Sequence, residues 1–152
     1  MSNELLSLAH GFFGLVLLMA FSGILVWLSS SQKSDIKKIK IAAVVMLIIT
    51  LVLFITGVGA YAVYRSSGGA RESILAGDKA WVHNILMELK EFTGFYVLVI
   101  MFVITCFVFH FNEQIIIDKK IKKMLIYLLI IMMIWTLLTF GLGAYITKVK
   151  AI

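Results

Sequence analysis

Four long apolar runs dominate the sequence and limit what the chain can fold into. They cover about residues 5–28, 41–64, 92–111 and 124–147. Each run holds about 20 residues or more, which as a helix crosses a hydrocarbon core of about 30 Å. The runs are apolar on every face rather than alternating, which argues against the strands of a membrane barrel. We therefore predict an all-α fold, an integral membrane four-helix bundle in which residues 1–152 form a single domain.

The composition excludes several other classes of protein. Hydrophobic residues make up 62% of the chain and charged residues 14%, whereas a soluble domain has about 45–50% and about 25%. The net charge of +6 lies in short clusters between the runs, where membrane topology places it. We therefore expect a lipid bilayer, and no nucleic acid, as the surroundings of the chain. With one cysteine, the chain has neither a disulfide framework nor a thiol pair.

The basic residues indicate an orientation. Eight lysines belong to the two short connections: Lys33, Lys37, Lys38, Lys40, Lys119, Lys120, Lys122 and Lys123. Six basic residues belong to the other side: Arg65, Arg71, Lys79, Lys90, Lys148 and Lys150. Because cytoplasmic loops carry an excess of positive charge, we predict both short connections in the cytoplasm and both termini outside the cell (inner) membrane. Residues 66–79 would form an outer loop, and the third helix would cover residues 80–111, with 92–111 in the membrane.

The chain also has the pattern of two helix hairpins in tandem. Residues 56–61, Thr-Gly-Val-Gly-Ala-Tyr, match residues 140–145, Phe-Gly-Leu-Gly-Ala-Tyr, at an offset of 84. Aligning Gly14 with Gly94 gives an offset of 80 for the first and third helices and pairs His10 with Lys90. A repeated helix pair in one orientation implies a pseudo-two-fold axis along the membrane normal. We predict an internal duplication that superposes Gly57 on Gly141.

Small residues and a histidine share one depth near the outer ends of the helices. Gly57 and Gly141 lie about two turns from those ends in the second and fourth runs, and His10 and Gly14 lie at a similar depth in the first. One interpretation is close helix packing, the commonest use of small residues in membranes. The other is space for a flat cofactor, because a four-helix bundle can hold a porphyrin between facing helices.

His10 is the first candidate ligand of such a cofactor. An ionisable side chain inside a membrane span is costly and marks a functional site by default. Imidazole suits iron, and the absence of a Cys-x-x-Cys-His motif argues for a non-covalent haem b. The alternatives are a neutral histidine bonded to Tyr61, Tyr145 or a backbone carbonyl, and a proton-relay or quinone contact.

The third helix offers the second ligand. His83, Met87, Lys90 and Glu91 follow spacings that place them on one helical face. Lys90 is level with His10 by the duplication, whereas His83 lies about 10 Å further out. We therefore predict His10 and Lys90 as the metal ligands, with His83 as the next candidate. The alternative for Lys90 is an interfacial ion pair with Glu91.

Two resemblances accompany these patterns. Residues 80–91, Ala-Trp-Val-His-Asn-Ile-Leu-Met-Glu-Leu-Lys-Glu, and the pair Tyr64-Arg65 resemble a pattern of small uncharacterised four-helix bacterial membrane proteins, which implies no established activity. The histidine at the head of the first helix and the glycine-lined bundle are similar to membrane-embedded b-type cytochromes. That second resemblance implies haem binding, although the paired histidines of those proteins are missing.

Three functions remain open on the sequence alone. The first is an electron-transfer subunit of a larger complex, with one haem b in the outer half, that connects an outer redox partner to quinone or a neighbouring subunit. The second is a non-catalytic anchor or scaffold subunit that docks other membrane or outer-face subunits. The third, a small transporter, is disfavoured because the spans carry no charged pathway through their centre. We expect no catalysis by this chain alone.

Overall fold

A computed structural model of the protein describes residues 3–30, 32 and 35–150. The elements in chain order are α1 (Asn3–Ser30), α2 (Ile36–Arg65), α3 (Ala70–Ala76), a π-helical turn (Val82–Met87), α4 (Glu88–Phe111), α5 (Gln114–Ile117) and α6 (Lys119–Lys150). The fold is all-α, as predicted. Four stretches of this described chain are long and apolar enough to cross a membrane: Leu6–Ser30, Ile36–Arg65, Val82–Phe111 and Lys119–Val149. The chain is therefore a multi-pass membrane protein.

The helices extend beyond the apolar runs at their lysine-bearing ends. The sequence predicts starts at about residues 41 and 124, but α2 begins at Ile36 and α6 at Lys119. Lysine is a good helix former, so the helix continues where the hydropathy falls. Asp118 also accepts a hydrogen bond of 2.7 Å from the backbone N–H of Lys120, which caps the start of α6. Lys33, one of the lysines used for the orientation, lies outside the described residues.

Each spanning helix has two of the others as its main neighbours. Around the bundle the order is α1, α2, α4 and α6, and α6 closes the ring against α1. We call the end with the two lysine-rich connections the lysine end. The opposite end, which carries both termini, α3 and the π-helical turn, is called the capped end. α1 and α4 therefore face each other diagonally and are flanked by α2 and α6.

The half of the bundle next to the lysine end has a closed core. On each spanning helix the buried positions recur at intervals of four, three and four residues, which is the spacing of a left-handed bundle seam. These positions are 17, 21, 24 and 28 on α1, 39, 43, 46 and 50 on α2, 97, 101, 104 and 108 on α4, and 125, 129, 132 and 136 on α6. Fourteen of the sixteen are aliphatic, aromatic or methionine, and the other two, Thr50 and Thr136, lie nearest the centre of the chain's spans.

This seam also relates the two hairpins. Leu17 and Val97 are 80 residues apart, which agrees with the predicted offset for α1 and α4. The first buried positions of α2 and α6, Ile39 and Leu125, are 86 residues apart rather than 84. The seam therefore pairs residue 57 with residue 143, not with residue 141. The superposition of the two hairpins itself remains a prediction.

The segment predicted as an outer loop contains the short helix α3. Ile74 on α3 is 5% exposed and packs in a small cluster with Val82, Met87 and Ile146 at the capped end. The connection from α2 requires glycine at residue 69, where a side-chain carbon would lie 2.7 Å from two backbone carbonyl oxygens. α3 is thereby folded back onto the bundle instead of extending away from it.

Candidate functional site

In the capped half, polar and small residues take the inward-facing positions. The seam of α1 continues from Leu17 through Gly14 to His10, and the seam of α4 continues from Val97 to Lys90. Between these two helices, α2 presents Gly57 and α6 presents Gly143. We call His10, Thr56, Gly57, Lys90 and Gly143 the polar layer. All five are partly exposed rather than buried, so this part of the bundle is less tightly closed than the lysine half.

The imidazole of His10 is held by α2. Its Nδ1 lies 3.1 Å from the carbonyl oxygen of Leu53 and 3.3 Å from the hydroxyl of Thr56. A carbonyl can only accept a hydrogen bond, so Nδ1 carries a proton and donates it. In the neutral ring Nε2 then has a free lone pair. His10 therefore makes the hydrogen bond to a backbone carbonyl that the sequence pattern offers as an alternative to iron binding. This bond uses Nδ1 and leaves Nε2 available.

Gly57 provides the space in which this imidazole lies. A side-chain carbon at position 57 would be 2.9 Å from Cε1 of His10, closer than real carbon contacts. Any residue other than glycine would displace the ring from its position over α2. The close approach of α1 and α2 here is the kind of small-residue packing expected in membranes.

Lys90 repeats this arrangement on the opposite side of the bundle. Its aliphatic chain lies across Gly143 of α6, with Cε 3.2 Å and Nζ 3.5 Å from the place of a side-chain carbon. Lys90 and His10 interact electrostatically, and the neighbouring Glu91 carboxylate acts on Lys90 in the same way. The predicted ligands His10 and Lys90 therefore lie at one level of the seam, each resting on the glycine of a different flanking helix.

Among the side chains that the structure describes, no carboxylate lies within 4 Å of the Lys90 ammonium. The one ion pair shorter than 4 Å in residues 3–30, 32 and 35–150 joins Lys38 and Asp35, near the lysine end. Glu91 is exposed, so it does not share the inward face on which the sequence pattern places it with Lys90.

The two remaining glycine candidates have different surroundings. Gly14 is buried, and a side-chain carbon there would lie 3.1 Å from the ring of Phe140. It therefore belongs one turn below the polar layer, in a contact between α1 and α6. Gly141 is exposed and has no atom within 4 Å of the place of a side-chain carbon. Gly143, which the sequence pattern did not single out as a site residue, takes the place predicted for Gly141.

His83 belongs to a separate hydrogen-bonded group at the capped end. Its Nε2 accepts a hydrogen bond of 3.1 Å from Nε of Arg71, and its Nδ1 lies 2.9 Å from the hydroxyl of Tyr64. Because the Arg71 group can only donate, Nδ1 must carry the ring proton. Both nitrogens of His83 are therefore engaged, and the ring is only 8% exposed. His83 is not brought to His10, and it has no free lone pair.

We call Tyr64, Arg71 and His83 the cap triad. Sequence reasoning missed this group because its three members come from α2, α3 and the π-helical turn, and their contacts are non-local. The Tyr64-Arg65 pair was the one available signal. Tyr64 also stacks on Tyr61 at 6.1 Å between ring centroids, and the Tyr61 hydroxyl accepts a hydrogen bond of 3.1 Å from Arg65. Tyr61 lies on α2 between Tyr64 of the triad and Gly57 of the polar layer.

His110 lies far from the polar layer, near the lysine end. It is exposed, and its ring packs edge-on against Phe111 at 4.8 Å. Within the described ranges, no group of three or more His, Cys, Asp or Glu side chains is arranged to hold a metal ion. Comparisons of the chain with protein-family models, with curated proteins and with solved structures find no match.

Proposed function

We propose that this protein is a membrane-integral electron-transfer subunit that holds one b-type haem between α1 and α4, in the capped half. The observation that carries the proposal is the state of His10. A carbonyl oxygen orients Nδ1 at 3.1 Å, as outer partners orient metal-binding histidines in proteins. That contact fixes the tautomer in which Nε2 carries the lone pair, and Nε2 is the atom that would bind iron. Bound haem would supply one-electron transfer near the capped end.

Lys90 is the favoured second ligand. It projects from the helix diagonal to α1 and interacts electrostatically with His10. Ligation requires the neutral amine, so Lys90 must release a proton when it binds iron. His83 remains the next candidate from sequence, but it would have to leave both Arg71 and Tyr64 before either nitrogen could bind a metal.

The flanking helices support the same interpretation. Gly57 and Gly143 present bare backbone to His10 and Lys90 on α2 and α6. With His10 and Lys90 as they lie, no other side chain at these two positions would obstruct a flat ring bound between α1 and α4. Gly14 and Gly141 would be neighbours of the site rather than its walls.

The closed half of the bundle limits where electrons can leave. Leu17, Phe21 and Met101 are fully buried in the seam, and this close-packed core argues against an open pore to the lysine end. We therefore place the redox partner at the capped end and a quinone, or a neighbouring subunit, at the lateral surface. In this proposal the capped end and both termini face the outside of the cell membrane.

An absorption spectrum tests the proposal. The full chain, expressed with haem available and purified in mild detergent, should show a Soret band. His10→Ala should remove or shift that band, Lys90→Ala should shift it, and His110→Ala should leave it unchanged as the matched control. Absence of a Soret band from the intact wild-type chain would overturn the haem proposal.

One observation favours the alternative of an anchor or scaffold subunit. The side chains of the chain itself already cover the glycines, with His10 on Gly57 and Lys90 on Gly143. In that case the polar layer specifies how the helices pair rather than binding a cofactor. The wild-type protein would then be colourless, and the His10→Ala variant would melt at a lower temperature than the wild type. Other subunits would still co-purify with the variant.

A further inference from the structure

A groove opens at the lysine end between α2 and α4. It encloses about 250 Å³ and is lined by Lys37, Lys40, Ile41, Val44, Val45 and Phe109. Its walls are apolar, with the two lysines at the level of the lysine-rich connections. This groove is remote from the polar layer and belongs to neither function argued above.

The lining residues form one stripe on the first turns of α2. Positions 37, 40, 41, 44 and 45 follow the spacing of a single helical face. Both valines and Ile41 are exposed, so the face is directed at the bilayer rather than at another helix. The stripe is cationic where the helix leaves the hydrocarbon region and apolar where it enters it. A ligand that fits along it must be anionic at one end and apolar along its length.

The two lysines of the groove are available for such a ligand. Lys38, between them in sequence, is paired with Asp35 at 3.2 Å. The backbone N–H of Gln32, and then Lys38, lower the pKa of that carboxyl below its ordinary value, so Asp35 remains ionised and occupied. In the part of the chain that the structure describes, neither Lys37 nor Lys40 has a carboxylate within 4 Å.

Phe109 positions one of these charges. The Nζ of Lys40 lies 5.4 Å from the centroid of the Phe109 ring on α4, a distance at which a cation is attracted to the ring face. The ammonium group is thereby drawn across the mouth of the groove towards α4. Lys37 is exposed on the same stripe one turn earlier, so the two cations flank the site of a headgroup.

We propose that this groove binds an anionic phospholipid, with the phosphate between Lys37 and Lys40 and one acyl chain along Ile41, Val44 and Val45. Basic pockets between spanning helices are suited to acidic headgroups. The charge complementarity and the apolar continuation commit the site to a lipid, because a free phosphate would use only the lysines. The proposal is independent of whether the polar layer binds haem.

Native mass spectrometry of the full chain in neutral detergent tests this proposal. The probes are phosphatidylglycerol and phosphatidylcholine of equal chain length, and the measured quantity is the dissociation constant of the first bound lipid. We expect tighter binding of phosphatidylglycerol, weakened about fivefold by Lys37→Gln or Lys40→Gln and about 25-fold by both. Lys119→Gln with Lys120→Gln removes the same charge at the same end and should change the constant less than twofold.

A second variant separates the groove from the charges. Val44→Trp keeps both lysines but fills the groove, and Val44 is exposed, so the bundle should tolerate it. This variant should lose the preference for phosphatidylglycerol as fully as the double lysine variant. Four outcomes would each overturn the proposal. Two concern the variants: equal weakening by the Lys37/Lys40 and the Lys119/Lys120 double variants, or full lipid binding by Val44→Trp. The other two are competition by inorganic phosphate at a concentration comparable to that of the lipid, and no preference between the two lipids.

Discussion

The two halves of the bundle use the same helical spacing for opposite purposes. Near the lysine end, the inward positions hold large apolar side chains that are almost fully buried, such as Phe21 and Met101. Near the capped end, the same seam holds His10, Gly57 and Lys90, which are only partly covered. The comparison indicates that the closed half fixes the helices relative to one another. The other half can then keep partly exposed ionisable groups at one level, between this closed core and the small apolar cluster around Ile74 at the capped end.

The largest expected difference between the halves concerns two phenylalanines of α1. Phe21 is fully buried in the lysine half, whereas Phe13 is only partly buried in the capped half. Phe21→Ala opens a cavity in a close-packed core and should lower the free energy of unfolding by about 3 kcal/mol. Phe13→Ala should lower it by less than half as much. Chemical unfolding in mixed micelles measures both, and equal losses would show that the halves do not differ in packing.

Glycine-to-alanine substitutions examine the polar layer at finer scale. Gly57→Ala must move His10 away from the Leu53 carbonyl, and we expect a loss of about 1–2 kcal/mol in unfolding free energy. Gly143→Ala meets the flexible chain of Lys90, which can shift, so its effect should be small. Gly141→Ala enters open space and should be neutral or stabilising by up to about 1 kcal/mol, because alanine favours helices. A greater loss at position 141 than at 57 would contradict the seam register.

The cap triad gives a local prediction. Arg71→Met leaves Nε2 of His83 without its donor, at an expected cost of about 1 kcal/mol. Because only α3 depends on this contact, hydrogen exchange should quicken in α3 and the π-helical turn and remain unchanged in the lysine half. Lys79→Met removes the same charge from an exposed position and is the control. Unchanged exchange in α3 would mean that the apolar contact of Ile74 alone holds it.

The smallest expected effect on stability concerns Thr50 and Thr136, which occupy equivalent positions in the seams of α2 and α6. The hydroxyl of Thr50 donates to the Met46 carbonyl at 2.7 Å. The buried hydroxyl of Thr136 has no hydrogen-bond partner in the described part of the chain. Thr50→Val should therefore cost about 0.5 kcal/mol, the scale of such bonds in membrane helices. Thr136→Val should be neutral or stabilising by a similar amount. The melting temperatures of the two variants measure this difference, and a lower melting temperature for Thr136→Val than for Thr50→Val would refute the prediction.

The number and class of the membrane-spanning helices could be predicted because span length depends on hydropathy alone, whereas the short helices α3 and α5 and the π-helical turn lie outside that prediction. Which face of each helix is buried could not, since the runs are apolar all round and the lipid-facing residues are as hydrophobic as the core. His10 and Lys90 were found because they are the exceptions in those runs. The offset of 80, which the buried positions Leu17 and Val97 share, predicts that the histidine and the lysine lie at one level.

Two features of the site depend on geometry that the sequence pattern does not carry. The match between residues 56–61 and 140–145 is a match of amino-acid types alone. It pairs Gly57 with the exposed Gly141, whereas the spacing of the buried seam positions pairs Gly57 with Gly143. The sequence pattern places His83 on the face of Lys90 by ordinary α-helical spacing through residues 82–87. These residues form a π-helical turn instead, which alters the direction of every side chain before it relative to those after it.

That π-helical turn rotates the side chains of the cap about the helix axis relative to those of α4 in the bundle. A π-helical turn holds one residue more than the α-helix around it. Shortening it by one residue, for example at the exposed Asn84, would restore a regular helix and rotate residues 82 and 83 by about 100° about its axis. His83 would then point away from Tyr64 and Arg71, while Lys90 would stay over Gly143. The extra residue of the π-helical turn thus works as a single-residue insertion. Its gain or loss during evolution changes the geometry of the cap, while the layer beneath it stays the same.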